Sequence, residues 1–347
     1  GKALAGLDRI LLGGASLSDG SLAFLSGCGK LKQLTLMGTK VTGDGLDNLK
    51  GLGALETLDL SETKVAGEGL AHLKGLKTLS TLRPSRTVLS DADLKKIGDF
   101  ASLIRLDVSG DAVTDAGLEA VASLKQLQVL TLTCPKVTDT GLAHLGAMAN
   151  LRALHLREHA ATGEGLAGLK DFKHLGTLDV AGGLTDAGAR AVAGIGSLRS
   201  LRLRDAKLTN AGLAALARLS ALEYLHITGA AAVEDYSLSA LKGLSNIKEI
   251  VLTGTSCDEA QFEWLRHVFN DNAPEHGKAV PENVERLALA GAKDAGLAQL
   301  AALENLKELT LWSGNVQDEG MRHVAKLTSL RTLDIGSAAV GDRGVSL

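Results

Sequence analysis

The sequence predicts an α/β solenoid of right-handed sense, with parallel strands along one side and short helices along the other. Three observations predict it. A segment of the form L-x-x-L-x-L recurs fourteen times, starting at Leu7, Leu31, Leu55, Leu79, Leu103, Leu127, Leu151, Leu175, Leu198, Leu222, Ile247, Val284, Leu306 and Leu330. Nine of the thirteen intervals between these starts are 24 residues, so the chain has a period. Aromatic residues make up only 3% of a chain that is 45% hydrophobic, so its core is aliphatic and suited to small, repeated layers.

The unit from Leu103 to Leu118, LIRLDVSGDAVTDAGL, shows why each element forms. Leu103, Leu106 and Val108 fall at the spacing of a short strand with one buried face. Val113 follows the turn as a further inward anchor. Thr114 is a good helix N-cap, and Asp115 puts a negative charge where a helix N-terminus favours it. Leu118, Val121 and Leu124 then recur at helical spacing. Glycine holds the fifteenth position of most units, as at Gly45, Gly117, Gly141 and Gly212, where a missing side chain lets the neighbouring unit approach. A strand and helix of 24 residues cannot bury their apolar stripe alone, but stacked copies share one continuous core. Strands sit closer together than helices do, so the stack is expected to curl with the sheet inside.

This repeat resembles the leucine-rich repeat family across essentially the whole chain, and the T-D-x-G-L turn is similar to that of the cysteine-containing, GALA-type and ribonuclease-inhibitor-like members. The resemblance implies a curved horseshoe of about fourteen repeats, with concave parallel strands and convex short helices. It also implies that the ninth position caps backbone groups in the turn. Here that position holds Thr39, Thr63, Thr87 and Thr255, but also Asp111, Pro135, His159, Ala206, Ala292 and Gly314. The family's role is protein recognition by the inner sheet, and it carries no shared catalytic residues.

Residues 1–347 read as a single array. Gly1 to Gly6 resemble the tail of a preceding helix, and the last residues, Gly344 to Leu347, fall where another helix should begin. Neither end reads as capped, which predicts a piece of a longer array. The 37-residue interval after Ile247 carries an inserted loop, residues 266–283, with Pro274 and Pro281.

Charge and composition exclude several classes. Lys plus Arg number 37 against 40 Asp plus Glu, so no basic footprint for nucleic acid or an anionic membrane exists. No long apolar run or signal-like start is visible. Cys28, Cys134 and Cys257 are odd in number and far apart, which reads as free thiols in a reducing, cytoplasmic setting.

Motifs with chemical meaning dissolve into the repeat. His155-Leu156-Arg157-Glu158-His159 matches H-x-x-E-H, but the frame puts it on a strand and turn, where the two imidazoles are about 13 Å apart. Gly163, Gly165 and Gly168 match G-x-G-x-x-G, yet two of them recur in sister units as packing glycines. His267, Asp271, Glu275 and His276 read as a solvated polar loop rather than a metal site, and a Cys134–His155 thiolate pair is outweighed by an ordinary turn cysteine. No metal, cofactor or enzymatic activity is expected.

The solvent-facing strand positions form columns. One runs Thr35, Asp59, Arg83, Asp107, Thr131, His155, Asp179, Arg202, His226 and Val251, and Asp59, Arg83 and Asp107 make an alternating-charge ladder within it. The candidate partner-binding residues are His155, Arg157, Asp179, Arg202, Arg204, Tyr224 and His226, with Arg83 and Trp312 secondary. The expected function is non-catalytic binding of another protein through the concave face. The alternatives are an assembly subunit stacking on further repeats, or the substrate-receptor arm of a larger complex, such as a ubiquitin-ligase adaptor or an effector.

Overall fold

The computed structural model of the chain describes residues 4–14, 16–229, 243–253, 284–290, 294–297, 300, 303–312, 316–336 and 339–346. The expected insertion at 266–283, Cys257 and the ninth-position residues Thr255, Ala292 and Gly314 lie outside them. Two compact units divide the chain, Gly1–Ala161 and Thr162–Leu347.

The first unit carries strands β1 (Arg9–Leu11), β2 (Gln33–Thr35), β3 (Thr57–Asp59), β4 (Thr81–Arg83), β5 (Arg105–Ser109), β6 (Val129–Thr133) and β7 (Ala153–Arg157). Neighbours pair in parallel with the repeat in register, so Leu34 faces Leu58 and Leu58 faces Leu82. The second unit carries β8 (Thr177–Ala181), β9 (Ser200–Arg204), β10 (Tyr224–Thr228), β11 (Glu249–Thr253), β12 (Arg286–Ala290), β13 (Glu308–Trp312) and β14 (Thr332–Gly336), again parallel and in chain order. Despite the 37-residue interval, Ile250 still pairs with Leu287. The aliphatic slots face inward as the frame predicts. Leu31, Leu34 and Leu36 are fully buried, as are Leu103 and Leu106, with Val108 at 1% exposure.

The expected short helices are of two kinds. Segments Asp91–Ile97, Asp115–Val121, Asp139–His144, Asp186–Val192, Asn210–Leu216 and Asp318–Val324 are α-helical, whereas Asp19–Gly27, Asp44–Leu49, Gly67–Gly75 and Glu164–Leu169 are 3₁₀. The tighter segments are those with an extra glycine at the thirteenth or fourteenth position: Gly20, Gly43, Gly67 and Gly163. Glycine costs a helix about 1 kcal/mol relative to alanine, and at three of these positions it also displaces an aspartate that has a second task.

That task differs from the helix-dipole role expected for Asp115. Its carboxylate accepts hydrogen bonds from the backbone N–H (2.8 Å) and hydroxyl (2.6 Å) of Thr138, the N-cap of the following repeat. The same clamp joins Asp19 to Thr42, Asp91 to Thr114 and Asp186 to Thr209. Thr114, Thr138 and Thr209 in turn cap their own helices, accepting from Ala116, Thr140 and Ala211. The fifteenth-position glycine completes the joint. A Cβ on Gly45, Gly117, Gly141 or Gly212 would overlap the carboxylate of the preceding clamp aspartate. T-D-x-G is therefore a connector between repeats as well as a helix start.

The ninth-position threonines cap the turn as the family resemblance implies. Thr39, Thr63 and Thr87 donate to the carbonyls of Leu36, Leu60 and Pro84 at 2.7, 2.6 and 2.7 Å. The position before them turns left-handed, with glycine at Gly38, Gly182 and Gly229 but charged residues at Glu62, Arg86, Glu158 and Asp205, whose φ values are +59°, +55°, +45° and +52°. Each of these four bears a strain of roughly 1–2 kcal/mol that glycine would not.

Candidate functional site

In the first unit the column of strand residues forms, half-buried rather than exposed at Thr35, Asp59, Arg83, Asp107, Thr131 and His155. Thr35 faces Asp59, Asp59 faces Arg83, Asp107 faces Thr131, and Thr131 faces His155. The alternating-charge ladder forms on one side only: Arg83 Nε lies 3.3 Å from Asp107 Oδ2, while Asp59 accepts from the Ser61 backbone N–H at 2.9 Å. His155 lies on β7 and His159 beyond its end, so the H-x-x-E-H string has no shared helical face. Arg157 is exposed and lines a cleft of about 700 Å³ with Glu158, Asp107, Asp111 and Arg86. Arg86 also pairs with Glu62 at 3.0 Å.

Cys134 is fully buried, and burial pushes its thiol up to about 11, so it stays protonated at neutral pH. Gly163 and Gly188 pack tightly: a Cβ on Gly163 would strike Leu184, and one on Gly188 would strike the Thr162 carbonyl. Among the described residues no group of three or more His, Cys, Asp and Glu side chains could hold a metal ion, and no helix is long and apolar enough to cross a membrane.

The second unit brings Asp179, Arg202, Arg204, Tyr224 and His226 together on β8, β9 and β10. Asp179 faces Arg202, which faces His226, while Arg204 faces Thr228. The pairings are diagonal. Arg204 Nη2 sits between both carboxylate oxygens of Asp179 at 2.9 and 3.0 Å, and Asp179 is only 5% exposed. His226 Nε2 pairs with Glu249 Oε1, and the other Glu249 oxygen takes Arg286 at 2.9 Å. Burial would raise Glu249, yet the hydrogen bonds from Arg286 and His226 hold its carboxyl below the usual range. Arg202, by contrast, is exposed and has no hydrogen bond or ion pair among the described residues. Beside it Tyr224 is 37% exposed, and farther along the sheet Trp312 is 38% exposed.

The frame passed over two further columns. Glu249, Arg286 and Glu308 occupy facing positions on β11, β12 and β13, and Arg286 Nε is 3.4 Å from Glu308. At the strand entrances Glu223 receives Arg199 at 2.6 Å and Lys248 at 2.7 Å, while Glu285 receives Lys307 at 2.8 Å. Hydrogen bonds from Lys248 and then Arg199 hold Glu223 below its ordinary value. Their signal was alternation of sign at the repeat period, obscured where the 37-residue interval separates Glu249 from Arg286.

The fold and its columns define the class. Two stretches, 197–217 and 326–347, match the leucine-rich repeat family model. The same unit recurs through the described residues, which have the leucine-rich repeat fold. Among solved structures, an internalin (inlF) from Listeria monocytogenes is similar with a TM-score of 0.60 and 20% identity, over 99% of this chain and 84% of that one. A leucine-rich repeat protein from Leptospira interrogans is similar with a TM-score of 0.60 and 16% identity, over 99% of this chain and 87% of that one. No curated protein matches the chain in sequence. Proteins of this fold are commonly protein-interaction modules, their repeated strands offering an extended binding surface.

Proposed function

We propose that this chain is a non-catalytic recognition module that binds a partner protein on its exposed sheet face, with Arg202 and Tyr224 as principal anchors. The supporting observation is the unsatisfied state of Arg202. Its neighbours Arg204, Asp179 and His226 are engaged within the protein, whereas Arg202 stands in solvent beside a half-open tyrosine. Arginine, tyrosine and tryptophan dominate binding hot spots because each combines large buried area with directed polar groups. Arg204 then serves to neutralise buried Asp179 rather than to reach a partner.

The experiment is proximity cross-linking in cells that produce the protein, using the wild type, Arg202→Glu/Tyr224→Ala, and a helix-side control, Lys95→Glu. A partner captured by the wild type and the control should weaken at least about tenfold with the double variant. Equal capture by all three removes the sheet face from consideration. Arg204→Glu is unsuitable, since it would place two carboxylates together at a buried site and unfold the region.

A further inference from the structure

We infer that the sheet face of the second unit is polarised to hold an extended peptide segment with an acidic side chain at one end, a basic side chain at the other and aliphatic side chains between. The inference rests on the proposed role of this face and specifies its partner.

One column of facing residues runs from β9 to β14 as Arg202, His226, Val251, Ala288, Thr310 and Asp334. Its outermost exposed charges are opposite, since Asp179, which faces Arg202 on β8, is buried and held by Arg204. Arg202 and Asp334 are both exposed, and neither has a hydrogen bond or ion pair among the described residues. Between them His226 is engaged by Glu249, and Val251, Ala288 and Thr310 carry no charge. Beside the column two carboxylates, Glu249 and Glu308, share the one guanidinium of Arg286 at 2.9 and 3.4 Å.

The middle of the column carries the uncharged Val251, Ala288 and Thr310, with Ala288 only 9% exposed. Tyr224 stands on one flank at β10 and Trp312 on the other at β13, so the diagonal Tyr224, Val251, Ala288, Trp312 has two small or medium residues between two aromatics. Gly336 faces Trp312 across the ladder, and a Cβ there would lie 3.3 Å from the indole Cδ1, so the glycine gives the ring room against the sheet. An aliphatic side chain near either end of this diagonal would meet one aromatic ring.

The dimensions select an extended occupant. Five strand spacings separate Arg202 from Asp334, about 24 Å, which an extended chain at roughly 3.3 Å per residue covers in about eight residues. Alternate side chains of such a segment face the sheet, so a charge at each end and three aliphatic groups between match the column.

The test uses three fluorescent nonapeptides with blocked termini on the full chain, read by anisotropy. They are Glu-Ser-Leu-Ser-Leu-Ser-Leu-Ser-Lys and its relatives with Glu at both ends or Lys at both ends. The wild type should bind the mixed-charge peptide about tenfold tighter than either relative. Arg202→Glu should move the preference to the Lys/Lys peptide, and Asp334→Lys should move it to the Glu/Glu peptide. Both side chains are exposed and unpaired among the described residues; because Arg202→Glu faces Asp179, its circular dichroism is compared with that of the parent first, and Asp334→Lys carries the test by itself if that variant unfolds. Equal binding of the three peptides, binding of none, or a preference unmoved by either substitution overturns the inference. If that happens while Arg202→Glu/Tyr224→Ala still loses the cross-linked partner, the polarity alone falls. A partner retained by that variant removes the face itself.

Discussion

His159 occupies the ninth position of its repeat, where Thr39, Thr63 and Thr87 each donate a hydroxyl to a carbonyl three residues back. An imidazole is half-buried there instead, and neither ring nitrogen makes a well-formed hydrogen bond among the described residues. Burial lowers its pKa below the ordinary 6.5, against the nearby Ala161 backbone and the attraction of Asp139. The unfolded chain therefore takes up this proton at a higher pH than the folded one. Stability from neutral His159 is present above about pH 6.5 and lost as the pH falls below it. His159→Thr should place a hydroxyl within reach of the Leu156 carbonyl and gain about 1 kcal/mol at neutral pH. It should also flatten the loss of stability between about pH 7.5 and about pH 5.5. Urea denaturation of parent and variant at both pH values checks this, and equal slopes would show that His159 does not titrate on unfolding. The residue's position was legible from the repeat, but its poorly satisfied ring was not, because the period fixes where a side chain stands and not what it bonds. The same limit applies to Arg204, which the frame placed on the exposed face while its contact with Asp179 runs diagonally across the register.

At the scale of elements, the clamp carries most of what distinguishes one repeat joint from another. Asp186 has two acceptors filled by Thr209. Burial would raise its pKa, but those hydrogen bonds, with the Gly212 N–H and Arg190, lower it overall. Its contribution is present above the ordinary carboxylate range and fades as the pH falls through it. Asp186→Ala should cost about 1 kcal/mol, since water can reach the exposed Thr209 groups it leaves. Gly212→Ala should cost a similar amount, because the methyl would overlap the Asp186 carboxylate. Gly196→Ala, with nothing within 4 Å of the added methyl, should be close to neutral. Thermal melts of the three separate the cases. The T-D-x-G string itself was plain in the sequence. Its inter-repeat use was hidden because the partner lies 23 residues downstream, and a helix-dipole role explains the same aspartate equally well. The split into α and 3₁₀ segments was present in the glycines at positions 20, 43, 67 and 163, since each either weakens the first turn or removes the clamp.

For the whole molecule, pairing in chain order means that each repeat leans chiefly on the one before and the one after. Leu106→Ala empties a fully buried slot on β5 and should cost about 2–5 kcal/mol. The loss should be concentrated in β4, β5 and β6 and decline with repeat distance inside the first unit. Hydrogen exchange read by mass spectrometry checks it, and uniform loss across β1 to β7 would show the unit to unfold all at once. The period of the leucines made the strands, their register and the core legible in advance, because burial at this spacing has one solution. The charge pattern of the sheet face was less so: it depends on which charges quench each other across diagonals and across the long interval, and period alone does not encode that. The clamp has one more result. Every repeat that keeps Thr, Asp and Gly brings both a plug and a socket of identical pattern, so an ancestral gene could lengthen or shorten by whole copies without redesigning any junction. A partial copy would leave a plug with no socket, and natural variation in length should accordingly arrive in steps of one full unit.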